Sequence, residues 1–219
     1  MKKILLFAFF VISLFGFNSN QIVTTIISSN DKNATLNQNI QIGMTGYVIH
    51  NDMMIAKAVS IGNSHIKYLP LVKLKNNATA TPKIFPQVGD NVIFGLYNFR
   101  GLIIAPNQQQ YSKIKNKYPN INFINPDIFA TYFYTKPTKE DFQKFCRDFN
   151  VGIIDFVLDK EYIVDCESFY VLDSNNTQPQ KYIKPFYTTY VKLSNSLFST
   201  KPSNWVKYYK SLLKVANGN

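Results

Sequence analysis

The sequence is poor in the residues that usually carry catalysis: its 219 residues include two histidines, two cysteines and one tryptophan, and only 13 acids stand against 24 Lys and Arg. Each shortage removes a class of function. His50 and His65 are not spaced with cysteines or carboxylates as a zinc site requires, and His50, two residues from Asp52, reads as a turn residue. There is no Gly-x-Ser-x-Gly elbow, glycine-rich phosphate loop, Cys-x-x-Cys or His-Glu-x-x-His. Pro106-Asn107-Gln108 follows a predicted strand but lacks the glycines that let a phosphate approach the backbone. No catalytic residue, metal ligand or cofactor site is therefore assigned, and the protein is expected to be no enzyme. Asp155 and Asp165, inside predicted strands, are placed to meet across a hairpin as an acid pair, the alternative being that one of them faces solvent. Arginine is the residue of planar phosphate and base recognition. Here Arg100 and Arg147 are the only two, the other 22 basic residues being lysine, which argues against a nucleic-acid partner. Beyond the N-terminal stretch, no apolar run is long enough to span a membrane as a helix.

What is present begins with export. Met1-Lys2-Lys3 followed by an uncharged apolar stretch to Phe15 has the build of a secretory signal, and Gly16 and Asn18-Ser19-Asn20 end it. Residues 1–19 are expected to be a signal peptide and the protein to work in the periplasm or at the cell surface. In an oxidising compartment Cys146 and Cys166 can pair. Cys146 also falls on the apolar stripe Phe142, Cys146, Phe149 of a predicted helix, where a free thiol would simply pack. The formal net charge of +11 favours acidic partners, and 46% hydrophobic residues suffice for one good core or two small ones.

The patterning predicts an α+β protein. Residues 20–39, with Ser28-Ser29-Asn30-Asp31-Lys32-Asn33, read as a flexible tether. Residues 40–98 alternate in short apolar runs broken by turn signals, and Gly89-Asp90 feeds the run Asn91 to Phe94. This suits a small β-barrel of SH3 or OB type, with Lys73 to Lys83 as its long loop. Residues 99–173 read as a small α/β layer: a buried strand at Gly101 to Ala105, a helix ending at Pro119, a strand at Phe123-Ile124, a helix opened by Asn125-Pro126, and another opened by the capping-box pattern Thr138-Lys-Glu-Asp141. Strands Ile153 to Leu158 and Tyr162 to Asp165 follow, joined by Asp159-Lys160-Glu161. Residues 174–219 are a basic C-terminal segment, extended over Lys184 to Val191 and helical over Ser203 to Ala216. In that helix Trp205, Tyr208, Tyr209, Leu212 and Val215 share one face and Lys207, Lys210 and Lys214 another.

Two motifs and one surface stand out. Asp31-Lys32-Asn33-Ala34-Thr35 and Asp173-Ser174-Asn175-Asn176-Thr177 each carry Asn-x-Thr with Asp two residues before the Asn, in polar stretches read as exposed loops. They are similar to the extended acceptor of bacterial N-glycosylation and make Asn33 and Asn175 the expected glycan sites. The basic helix has the composition to lie on an anionic membrane surface, or else to pack its aromatic face on the fold.

At Ile42-Gly43-Met44-Thr45-Gly46-Tyr47-Val48-Ile49-His50, Ile55 to Val59, Thr81-Pro82-Lys83, Ile103 to Asn107, Lys117-Tyr118-Pro119-Asn120, Pro126 to Ala130 and Tyr162 to Asp165, the sequence resembles the N-terminal domain family of bacterial plasminogen-binding protein PgbA. The resemblance runs from about residue 40 to 210. It implies a surface protein that captures host plasminogen, whose kringle domains hold lysine side chains, best of all a C-terminal lysine that supplies both ammonium and carboxylate. Lys207, Lys210 and Lys214, or Lys113, Lys115 and Lys117, are then the expected contacts. After Asp173 there is no acid and the chain ends on Asn219, so an internal lysine there has to draw its carboxylate from elsewhere in the fold. The alternative is a periplasmic adaptor of an envelope complex that does not bind plasminogen.

Overall fold

The computed structural model describes residues 17–69, 84–132, 136–190 and 202–216. The expected signal falls mainly on residues 1–16, and the expected loop Lys73 to Lys83 wholly within 70–83; both lie outside the described residues. Six antiparallel strands close a barrel: β1 (Ile22–Ser29), β2 (Asn33–Leu36), β3 (Thr45–His50), β4 (Met53–Gly62), β5 (His65–Leu69) and β6 (Asn91–Phe94). Around the barrel they run β1-β2-β5-β4-β3-β6, with β6 pairing back onto β1. Ile26, Leu36, Val48, Ala58, Ile66 and Phe94 fill the interior. The β3–β4 and β4–β5 hairpins turn at Asn51-Asp52 and Asn63-Ser64, all four residues at positive φ. Such turns match the twist of the flanking strands, and Asn and Asp tolerate them best among residues with a side chain.

The tether expected over residues 20–39 is corrected: this segment supplies β1 and β2. Thr24, Ile26, Ala34 and Leu36 are buried at alternate positions, as a half-buried strand requires. The polar residues that suggested a tether form the tight connection between the two strands, where the Asn30 side chain accepts hydrogen bonds from the backbone N–H groups of Lys32 and Asn33, both at 2.9 Å. Turn chemistry has the same composition as a linker.

A five-stranded mixed sheet follows, built from β7 (Arg100–Ile104), β8 (Asn122–Ile124), β9 (Ile153–Val157), β10 (Lys160–Asp165) and β11 (Val171–Asn176), in the order β11-β10-β9-β7-β8. Strand β7 is parallel to both β8 and β9, and the other pairs are antiparallel. Helix α1 (Gln108–Lys117) covers one face through Ile114; α2 (Pro126–Ala130), α3 (Lys139–Phe149) and α4 (Trp205–Leu212) cover the other. The protein is thus α+β. The helix starts follow local chemistry. Asn107 and Asn125 cap α1 and α2, Pro126 opens α2, and Thr138 and Asp141 form the reciprocal capping box of α3.

The expected C-terminal strand is also corrected. Over its described part, 184–190, the segment has no regular structure, and Tyr187 donates a single backbone hydrogen bond to Ala105. Pro185 has no N–H to give a ladder. The strand of this region is β11, which begins before residue 174 and escapes notice because its polar side chains lie on a sheet edge.

Two apolar clusters flank the sheet. One is continuous from the barrel interior through Ile103, Ile153 and Val157 to α1; the other is aromatic, with Phe129, Phe142, Phe145, Phe156, Phe169 and Tyr209 fully enclosed. Barrel and sheet are also clamped by polar contacts. Asp165 at the end of β10 accepts from the Thr45 N–H (2.8 Å), the Thr45 hydroxyl (2.7 Å) and the Ser168 N–H (2.9 Å). A Cβ at Gly152 would stand 2.4 Å from the Tyr97 carbonyl carbon, so only glycine lets β9 meet the barrel's last turn there. Asp155 and Asp165 are both buried, but Asp155 stands opposite Ile163 and Asp165 opposite Ile153, and Asp165 is committed to the barrel. They form no acid pair, and neither faces solvent.

Candidate functional site

Helix α4 separates its two chemistries cleanly. Asn204 caps it by accepting from the Lys207 N–H, and its apolar side is sunk into the aromatic cluster, except that the helix ends at Leu212, and Val215, expected on that face, lies beyond it and is exposed. Trp205 and Tyr209 are buried, the Tyr209 hydroxyl donates to the Pro185 carbonyl at 2.7 Å, and the Tyr208 hydroxyl to the Pro137 carbonyl at 2.9 Å. Of the two settings expected for this face, packing on the fold is the one formed, and contact with an anionic membrane through it is not supported: the apolar side that would enter the bilayer is occupied by the protein's own core. Among the described residues no helix is long and apolar enough to cross a membrane.

The lysines Lys207, Lys210 and Lys214 remain exposed. Lys210 places its Nζ 2.7 Å from Asp159 Oδ2, in the connection between β9 and β10. Slight burial pushes the Asp159 carboxyl up, but the Lys210 hydrogen bond and charge outweigh it and leave the acid below its ordinary range. The hydrogen bond to Asp159 raises Lys210 in turn. With 46% and 38% of the two side chains exposed, the pair contributes below about 1 kcal/mol to folding. Its interest is the juxtaposition of an accessible ammonium and carboxylate, which the acid-free C-terminal stretch cannot provide alone. Lys214 lies just past the helix, with its backbone tied to Phe169 and Val171 and its ammonium over the Tyr170 ring. Burial, and then the charge of Lys214, lower the neighbouring Lys139.

The second lysine group is on the other face of the sheet. Lys113 and Lys115 are exposed on α1, while Lys117 is bound to both oxygens of the buried Glu161 at 2.8 and 2.7 Å, and Glu161 also accepts from the Tyr118 hydroxyl at 2.6 Å. Lys117 thus pins α1 to β10. The structure does not bring the two lysine groups together, and it divides the acids of the β9–β10 hairpin between them, Asp159 to α4 and Glu161 to α1. Sequence reasoning treated Asp159-Lys160-Glu161 only as a turn. Nothing local signals that Lys210, 51 positions later in the chain, docks on it.

The expected glycan acceptors are not in loops, which is a correction of their setting. Asn33 is the exposed first residue of β2, and Asn175 lies half-buried within β11, its amide donating to Asp173 at 3.3 Å. Both sit at strand ends or edges whose polar composition imitates a loop. Cys146 on α3 and Cys166 after β10 are brought side by side with Cα atoms 6.2 Å apart, within the span of a disulfide. Among the described residues no group of three or more His, Cys, Asp or Glu is placed to hold a metal ion.

Comparison with known proteins bears on this geometry. Over residues 21–213 the sequence matches the family described as plasminogen-binding protein pgbA N-terminal. It is 29% identical over 181 residues to the plasminogen-binding protein PgbA of Helicobacter pylori strain J99, and equally to that of strain 26695. These alignments cover 78% of this chain and 40% of each relative, so the chain spans about two fifths of the length of the curated relatives it matches. No solved structure matches it. The chain belongs to the family of plasminogen-binding protein PgbA N-terminal domains.

Proposed function

We propose that this chain is an exported, non-enzymatic binding protein of the cell envelope, and that it captures plasminogen or a protein like it through the lysine face of α4. The observation that carries the proposal is Lys210 held beside Asp159 on an accessible surface, with Lys207 and Lys214 on either side of it along the chain. A partner that recognises a lysine ammonium together with an acid finds both there without any rearrangement of the core. Family membership and the names of the relatives support the same reading. Immobilised plasminogen, probed with the chain and with alanine variants, tests it. Lys210→Ala and Lys207→Ala should each weaken capture, and Lys113→Ala and Lys115→Ala should not; equal effects from both groups would show general charge attraction rather than this site.

Within the same proposal, Cys146 and Cys166 form a structural disulfide in the oxidising compartment, and Asn33 and Asn175 are glycan acceptors. Asn33 is the better exposed. Intact mass of the native protein checks both, and a mass without glycan on either would remove the second. A second reading, the envelope adaptor, draws on apolar side chains exposed on the barrel, where Ile27 on β1 and Val88 in the turn hydrogen-bonded to it are both open to solvent. A barrel of SH3 or OB type docking a partner there would hold the protein in a large periplasmic complex, whereas a receptor for a host protein must be labelled on intact cells.

A further inference from the structure

A cleft of about 400 Å³ lies where the barrel meets the end of α3 and the segment after β10. Its position between two packed units and its size are those of small-molecule sites. Its charged lining is two bases, Lys57 and Arg147, and two acids, Asp165 and Glu167. Lys57, in the middle of β4, has a side chain only 7% exposed and among the described residues approaches one side-chain acceptor, Glu167, at 3.3 Å. An ammonium carries three donors, and charge-assisted hydrogen bonds close to about 2.8 Å when they are well made. Arg147, on α3, stands 3.7 Å from the same Glu167, beyond hydrogen-bond reach. Asn98 is 2% exposed, and among the described residues its amide nitrogen has no hydrogen-bond partner. The other acid of the cleft, Asp165, is already filled by Thr45, Ser168 and the Glu167 N–H. Two cationic side chains, Lys57 and Arg147, therefore share one available carboxylate, and neither makes a close contact with it. A buried donor such as Lys57 left in this state is costly unless a further acceptor joins it.

The remaining walls are apolar. The Tyr47 and Tyr97 rings meet edge to face with centroids 5.3 Å apart, and Met54 and Val151 line the cleft beside them. We propose that this cleft binds a small organic carboxylate with an aromatic or aliphatic body. Its carboxylate is received by Lys57 and Arg147, and its body lies against the two tyrosines. Such a site is independent of the α4 lysines and of plasminogen capture.

The test is titration of the purified chain with 3-phenylpropionate, followed by calorimetry and by the NMR shifts of Met54 and the tyrosine rings. Saturable binding of the acid is expected, with its neutral amide binding at least about tenfold more weakly, as loss of a charge-assisted contact implies. Arg147→Gln, at a side chain 45% exposed and so without effect on the melting temperature, is expected to weaken binding about tenfold. Lys57→Met should abolish binding. A short peptide ending in a free phenylalanine forms a second arm: tighter binding of the peptide assigns the site to chain ends, tighter binding of the free acid to small metabolites, and both support carboxylate recognition. Absence of saturable binding, equal binding of acid and amide, full affinity in Arg147→Gln, or inorganic sulfate binding as well as the organic acid would overturn the proposal.

Discussion

Replacing Asp155 with valine is expected to stabilise the protein, and increasingly so as the pH rises. Asp155 sits in the middle of β9, buried, with neither carboxyl oxygen hydrogen-bonded to any of the described residues. Burial is the main cause that lifts its pKa well above the carboxylate range; the negative charge of Glu161 adds to it and Lys117 opposes it. The folded protein therefore keeps a proton that the unfolded chain has released. Between the ordinary carboxylate pKa and the raised folded one, the folded state binds more protons than the unfolded state. Stability from this group is fully present below that window and falls by about 1.4 kcal/mol for each pH unit climbed within it. Valine removes the titration together with an unpaired buried polar group, whose penalty is about 1–3 kcal/mol. At neutral pH a gain of about 2 kcal/mol corresponds to a rise in Tm of about 4–8 °C for a chain of this size. Asp155→Asn separates the two contributions, because it loses the proton but leaves an unpaired amide. Urea unfolding of all three proteins from about pH 5 to about pH 8 measures the difference directly. The reasoning fails if wild type and valine variant show the same pH slope, or if valine is destabilising throughout.

Other outcomes follow from the same structure. Phe142→Ala removes a ring that stacks on Phe129 and touches Phe156, Phe169 and Tyr209, and should cost about 3–5 kcal/mol, read as an early loss of near-UV circular dichroism on heating. Thr138→Ala breaks the capping box of α3 and should cost about 1 kcal/mol in urea unfolding. If Cys146 and Cys166 are joined as proposed, reduction should lower stability by about 2–4 kcal/mol, and an unchanged Tm in reductant would contradict the bond. Lys210→Ala should leave stability within about 1 kcal/mol of wild type, since the pair it breaks is exposed.

The sequence was most legible where structure is decided within a few residues. The caps at Asn125 and Thr138, the buried strand at Gly101 to Ala105 and the helix around Trp205 are local arrangements of residue types, and the structure forms each of them. It was least legible where a polar surface belongs to a strand. Residues 28–33 look like a linker because a tight turn between paired strands uses the same Asn, Asp and Ser, and β11 looks like a loop because an edge strand owes one side to water. The candidate sites depend on contacts between distant segments. The lysines of α4 were visible, but not that Asp159 would stand beside Lys210, some 50 residues away. Lys57, Arg147, Glu167 and Asn98 carried no signal at all, since four side chains spread over more than 100 positions meet only when the barrel docks on the sheet.

The most direct test of the proposed function is equilibrium binding of the purified chain to plasminogen, with and without excess of a soluble lysine analogue, at constant ionic strength. Saturable binding that the analogue abolishes, and that Lys210→Ala weakens, is the predicted result. Binding that ignores the analogue and disappears only in high salt, or no binding at all, would contradict lysine capture by this domain.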